Sequence, residues 1–230
     1  MVSTVAANLA EVRSRIAEAA RRAGRDPSRV RLMAVTKGFP RETVIEALEA
    51  GASLFGENRV QEAETKFTDL AGRCETHLIG HLQTNKARAA AALFDCVQSI
   101  DSPHTALALD ARCNERARSM EVLLELNTSG EQSKSGFAGR GELLAGLSEI
   151  EKMPRLRVRG LMTVGPLTGD EGTIRASFAR LRSAFEELAP GRPGFDVLSM
   201  GMSSDFEIAV EEGATLVRVG TALFGPRSPR

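Results

Sequence analysis

Short apolar runs rich in Val, Ile and Leu alternate with helix-like segments along almost the whole chain, and this alternation constrains the fold more than any other feature. Candidate strands lie at 30–36, 53–56, 76–80, 96–100, 121–127, 157–163, 197–200 and 215–219. Between them, segments 41–49, 59–70, 85–93, 102–118, 141–149, 173–188 and 204–212 carry Ala, Leu and Glu at helical spacing. Pro40 near the start of one helix, Gly51 after its end and Gly213 after another agree with the usual asymmetry of helix termini. Strands separated by helices pair in parallel, because a parallel neighbour can be reached only by a crossover. Eight such units in roughly 200 residues predict a closed (β/α)8 TIM barrel, with an open doubly wound sheet as the alternative. A further helix at about 3–24 precedes the first strand and must cap the barrel or pack on its side. No low-complexity tract or Pro/Ser-rich linker divides residues 1–230, so one domain is expected.

Charge and cysteine content narrow the function classes. Thirty basic residues balance thirty acidic ones, so no general field draws the chain to nucleic acid or to an anionic membrane. No apolar stretch approaches the length of a membrane-spanning helix. The N-terminal segment is basic but contains Glu11 and Glu18 and lacks the apolar core of a secretory signal, so it reads as an amphipathic surface helix. Three widely spaced cysteines, Cys74, Cys96 and Cys113, read as reduced thiols in a cytoplasmic protein. The chain has no Trp and no Tyr, so no mechanism can draw a phenolic acid or base from it.

In a parallel barrel, function sits where strands end. Strand one ends Ala34-Val35-Thr36-Lys37, and burial there would lower the lysine pKa and favour the neutral amine that condenses with an aldehyde. The alternative is a lysine snorkelling into solvent. Asn58, after strand two, could bond a ligand ring or cap the following helix. His77, on strand three, could face the barrel mouth or be a satisfied core histidine. After strands seven and eight, the loops containing Ser203, Gly220 and Thr221 occupy the usual phosphate position of this fold, unless they are ordinary turns. Arg218 shares a face with Gly220, and burying it calls for a ligand acceptor or a neighbouring carboxylate. There is no GxSxG elbow, no P-loop, no GxGxxG fingerprint and no metal-ligand spacing among His77, His81 and His104.

Seven blocks occur in order across the chain. They are Ala34-Val35-Thr36-Lys37, Phe55-Gly56-Glu57-Asn58, the run from His77 to Lys86, Ser133-Lys134-Ser135-Gly136-Phe137, Arg159-Gly160-Leu161-Met162, the run from Leu198 to Ser203, and Val217-Arg218-Val219-Gly220-Thr221. Together they resemble the YggS/PROSC family of pyridoxal 5′-phosphate (PLP) homeostasis proteins. The resemblance implies an alanine racemase-like barrel, PLP fold type III, without the racemase's C-terminal β domain. It implies Lys37 as the Schiff-base lysine, Ser203 with the amides of Gly220 and Thr221 as a phosphate cradle, and Arg218 facing the pyridine nitrogen. Asn58 and His77 become ring-side neighbours. Thr76 stands where many members have Trp and His81 where many have Pro, which touches only the local pocket wall.

The function implied is reversible storage of PLP as a Schiff base and its delivery, by transient contact, to apo PLP-dependent enzymes, without turnover and as a monomer. A racemase of this fold uses a tyrosine from its second domain, and this chain has none. An Arg facing the pyridine nitrogen also disfavours its protonation and weakens the ring as an electron sink. The alternatives are a weak PLP-dependent amino-acid racemase, and a barrel that binds a phosphorylated metabolite without covalent attachment. Lys134 is a candidate second amine or phosphate partner during transfer.

Overall fold

The eight expected strands close on themselves in the computed structural model, which describes residues 4–131 and 135–226. They are β1 (Arg31–Val35), β2 (Leu54–Glu57), β3 (Glu75–Leu78), β4 (Cys96–Ile100), β5 (Met120–Glu125), β6 (Leu156–Met162), β7 (Val197–Ser199) and β8 (Leu216–Val219). Each pairs in parallel with the next, and β8 returns to β1 with Arg31 opposite Leu216 and Ala34 opposite Val219. The expectation of a closed barrel rather than an open sheet holds.

Alternation along the strands builds two cores. Met33 and Val35 of β1 meet Leu54 and Leu216 inside the barrel. Ala34, Phe55, Val217 and Val219 face the other way and join the large outer core under the helices. Inside the barrel small and large residues interlock: a Cβ on Gly56 would lie 2.5 Å from the Met33 sulfur. Further round, Cys96, Leu123 and Met162 fill the interior.

The crossovers are α2 (Arg41–Glu49), α3 (Val60–Phe67), α4 (Ala87–Leu93), α5 (Pro103–Glu115), α6 (Arg140–Ile150), α7 (Glu171–Leu188) and α8 (Phe206–Glu211). Pro40 stands one residue before α2, and Gly51 and Gly213 follow α2 and α8 at φ +90° and +110°, where a side chain would be strained. The strand expected over 121–127 stops at Glu125. Beyond it the backbone bridges to Phe137, which donates to Glu125 O and accepts from Asn127 N.

The first helix, α1 (Val5–Arg22), packs on the side of the barrel and not across its end. Its apolar stripe, Leu9, Val12, Ile16, Ala19 and Ala20, recurs every three or four residues and is buried. It lies against α8 and a short last helix, α9 (Thr221–Phe224), which is too small to cover that flank alone. Asn8 donates to Leu223 O at 2.8 Å, and Arg15 pairs with Glu207 at 2.8 Å. Arg25 donates to the carbonyls of Val210, Gly213 and Ala214, neutralising the C-terminal end of α8. Among the described residues, no helix is long and apolar enough to cross a membrane.

Candidate functional site

The C-terminal ends of β1 and β8 and the loop after β7 enclose a cavity of about 530 Å³. Lys37, Ser203, Arg218, Gly220 and Thr221 line it, with Val35, Ile79 and Met202 supplying apolar wall. Lys37 stands in the turn two residues past the inward-facing Val35 that ends β1, which brings it to the cavity's rim. Gly220 is there because β1 comes close: a Cβ would lie 3.1 Å from Val35 O. The Ser203 hydroxyl accepts from Gly220 N at 3.1 Å and from Ala222 N at 3.2 Å, which ties the loops after β7 and β8 together. With its lone pairs so used, its own O–H remains to donate.

Asn58 and His77 are not in this wall. Asn58 lines a neighbouring depression with Arg59, His81 and Lys86, and its Oδ1 is buried without a hydrogen-bond partner among the described residues. It does not cap α3 either, since Arg59 is the residue before that helix. His77 lies in register with Gly56 and Cys96, deeper in the barrel. From this side of the barrel it is Ile79, two residues further on, that reaches the cavity. Lys134 lies outside the described residues.

The structure gives His77 a different setting. Arg218 donates to Ser199 Oγ at 2.6 Å, and Ser199 donates to Gln98 Oε1 at 2.7 Å. Gln98 Nε2 meets His77 Nδ1 at 2.7 Å, and His77 Nε2 meets Glu75 Oε1 at 2.6 Å. Arg31 closes the chain on Glu75, whose carboxyl is held down to about 2 by the bond from His77 and by Arg31. From Arg218 to His77 every donor points the same way if His77 carries its proton on Nε2, and Arg31 donates to the Glu75 carboxylate from the other end, so the thread is satisfied across the barrel interior. Sequence reasoning missed Gln98, Ser199 and Glu75. Their one signal was that each is a polar residue alternating with a residue of the outer core.

Arg218 is 4% exposed, and its second amino group donates to Thr163 O at 2.7 Å. At contact distance its acceptors among the described residues are a hydroxyl and a carbonyl and not a carboxylate. Burial pushes the guanidinium down to about 10, with the nearby charges of Glu125 and Asp205 opposing. It stays cationic at neutral pH. Burial also pushes the Glu125 carboxyl up to about 7, with Arg218 opposing. A carboxyl raised in the fold binds its proton more tightly there than in the unfolded chain. Stability therefore falls as pH rises from the ordinary carboxylate range through about 7. Glu125→Gln is expected to flatten that fall by on the order of 2 kcal/mol between about pH 5 and about pH 8, measured as urea midpoints.

The alanine racemase N-terminal domain family matches residues 7–228. The pyridoxal phosphate homeostasis protein of Pseudomonas aeruginosa is 46% identical over 98% of this chain and 97% of its own length. That of Escherichia coli K12 is 42% identical over 98% of each. The solved structure of PipY from Synechococcus elongatus with PLP bound superposes with a TM-score of 0.83 at 38% identity, covering 96% of this chain and all of that one.

Proposed function

Because the chain belongs to the pyridoxal phosphate homeostasis protein family, we propose that it binds PLP in the cavity between β1, β7 and β8, with covalent attachment at Lys37. One observation carries this reading: Lys37, the loops after β7 and β8, and Arg218 all line one cavity. When bound, PLP supplies an aldehyde for an amine to condense with and a phosphate for donors to hold. The donor set fits both ends. Lys37 is a primary amine at the end of β1, and Ser203 has an O–H with no acceptor among the described residues. The Thr221 amide at the start of α9 lies beside it, while those of Gly220 and Ala222 hold the Ser203 oxygen in place, and a hydroxyl with a backbone amide suits an anion.

The role proposed is storage of PLP and its transfer to apo-enzymes, without turnover. Arg218 is a permanent cation on the cavity wall, and beside a ring nitrogen it opposes a second positive charge there. With no Tyr in the chain, no phenolic base can stand opposite Lys37. Both features favour holding the group over activating a substrate.

The test is direct. The protein mixed with PLP should show a violet-absorbing band that borohydride bleaches, with the pyridoxyl label on Lys37 by peptide mass spectrometry. The loaded protein should then activate an apo PLP enzyme. Label scattered over surface lysines would sink the site. Exchange of the α-proton of alanine in deuterated water, well above that given by free PLP, would sink the non-catalytic role.

A further inference from the structure

Under the turn that presents Lys37, two ionisable side chains are buried and a third packs partly buried beside them. Lys66 of α3 and Glu57 of β2 are 3% and 1% exposed, and Glu62 lies one helical turn before Lys66. The Lys66 ammonium donates to Thr36 O at 2.6 Å, Glu57 Oε1 at 2.7 Å and Glu62 Oε1 at 2.8 Å, which uses all three of its protons. Glu57 Oε1 also accepts from the Thr36 hydroxyl at 2.7 Å, and Glu62 Oε1 accepts from Gly38 N.

The two backbone groups in this set are not arbitrary. Thr36 O belongs to the peptide unit before Lys37 and Gly38 N to the one after it. The two planes flanking one Cα fix the direction of its Cα–Cβ bond, so this cluster sets where the Lys37 side chain starts. Stability alone does not account for it, because well-packed apolar residues hold a barrel at least as well as buried ions do. The cluster even leaves Glu57 Oε2 buried without a partner among the described residues, and burial pushes the Glu57 carboxyl up against the bonds from Lys66 and Thr36.

We infer that Glu57, Lys66 and Glu62 are positioning residues that clamp the peptide units on both sides of Lys37 and so direct its amine into the cavity. The functional consequence rests on the PLP reading above; the clamp itself does not.

Two variants test it. Glu62→Ala removes the hold on Gly38 from a partly exposed helix position. The double variant Glu57→Gln/Lys66→Met removes the two most buried charges together and leaves the partly exposed Glu62 its bond from Gly38 N, and its thermal midpoint checks that it folds. In the ligand-free protein, amide exchange at Gly38 should quicken by about tenfold in Glu62→Ala. Unchanged exchange overturns the clamp. With PLP, formation of the band at Lys37 should slow by about tenfold in both variants. Affinity for pyridoxine 5′-phosphate, which has no aldehyde, should change by less than about twofold. If both quantities fall together, the cluster merely supports the barrel and positioning is overturned. A wild-type protein with no adduct at Lys37 defeats the PLP reading instead, and the exchange measurement then decides the clamp by itself.

Discussion

Lys37→Ala is expected to abolish the borohydride-reducible band and to weaken PLP binding by at least about 100-fold, or about 2.7 kcal/mol. The cavity wall keeps Ser203, Gly220, Thr221 and Arg218, so a phosphate can still be held, but nothing at the end of β1 can condense with the aldehyde. The fold should survive, because Lys37 is only half-buried at a strand end and the apolar layers of β1 are untouched. Lys37→Arg makes the comparison sharper. If residue 37 served only as a charge partner for a phosphorylated metabolite, arginine would keep the charge and much of the binding. If it serves as a nucleophile, arginine loses the band as completely as alanine does, since a guanidinium stays protonated. Retention of the band in either variant, with label on another lysine, would move the site away from β1.

The barrel was legible because its signal is periodic. Each of the eight strands lies within two residues of its expected start or end, since burial on both faces makes a parallel strand an apolar run. The side placement of α1 was not legible. It depends on α9 being a single turn, and nothing in the sequence 221–224 announces how much flank it leaves bare. The cavity residues of strands one, seven and eight were legible from position alone, because Lys37, Ser203 and Gly220 all stand just past a strand's C-terminal end. Asn58 and His77 show the limit of that method. Alternation says which face a residue takes, but its height in the barrel depends on the register between strands. His77 opposite Gly56 is deep, while Ile79 on the same side is at the wall. The Glu57–Lys66–Glu62 cluster was hidden for a related reason. Lys66 and Glu62 look like an exposed helical pair until α3 is laid over the end of β1.

Gly160→Ala is expected to destabilise the protein by more than about 4 kcal/mol, a fall in melting temperature of at least about 10 °C. The β5–β6 register explains why. Val122 pairs with Val158 but Leu123 pairs with Gly160, so Arg159 is an extra residue and the strand bulges there. The bulge changes which face each later residue takes. Arg159 turns toward Glu121 and Asp196, and beyond it Leu161 enters the outer core while Met162 points inside the barrel. Gly160 absorbs the change at φ +151°, where a Cβ would lie 1.8 Å from Val197 O and 2.7 Å from Val197 C. Those are backbone atoms of the next strand, so no rotamer relieves the overlap and β7 itself must move. Since β7 leads into the loop of Ser203, PLP binding should fall with stability in whatever fraction still folds. The same chemical change at Gly141, in the first turn of α6, is the control. There a Cβ meets nothing within 4 Å, and alanine should be neutral or stabilise by up to about 1 kcal/mol through helix propensity. Equal melting temperatures for the two variants would mean that the bulge is not where the β5–β6 register places it.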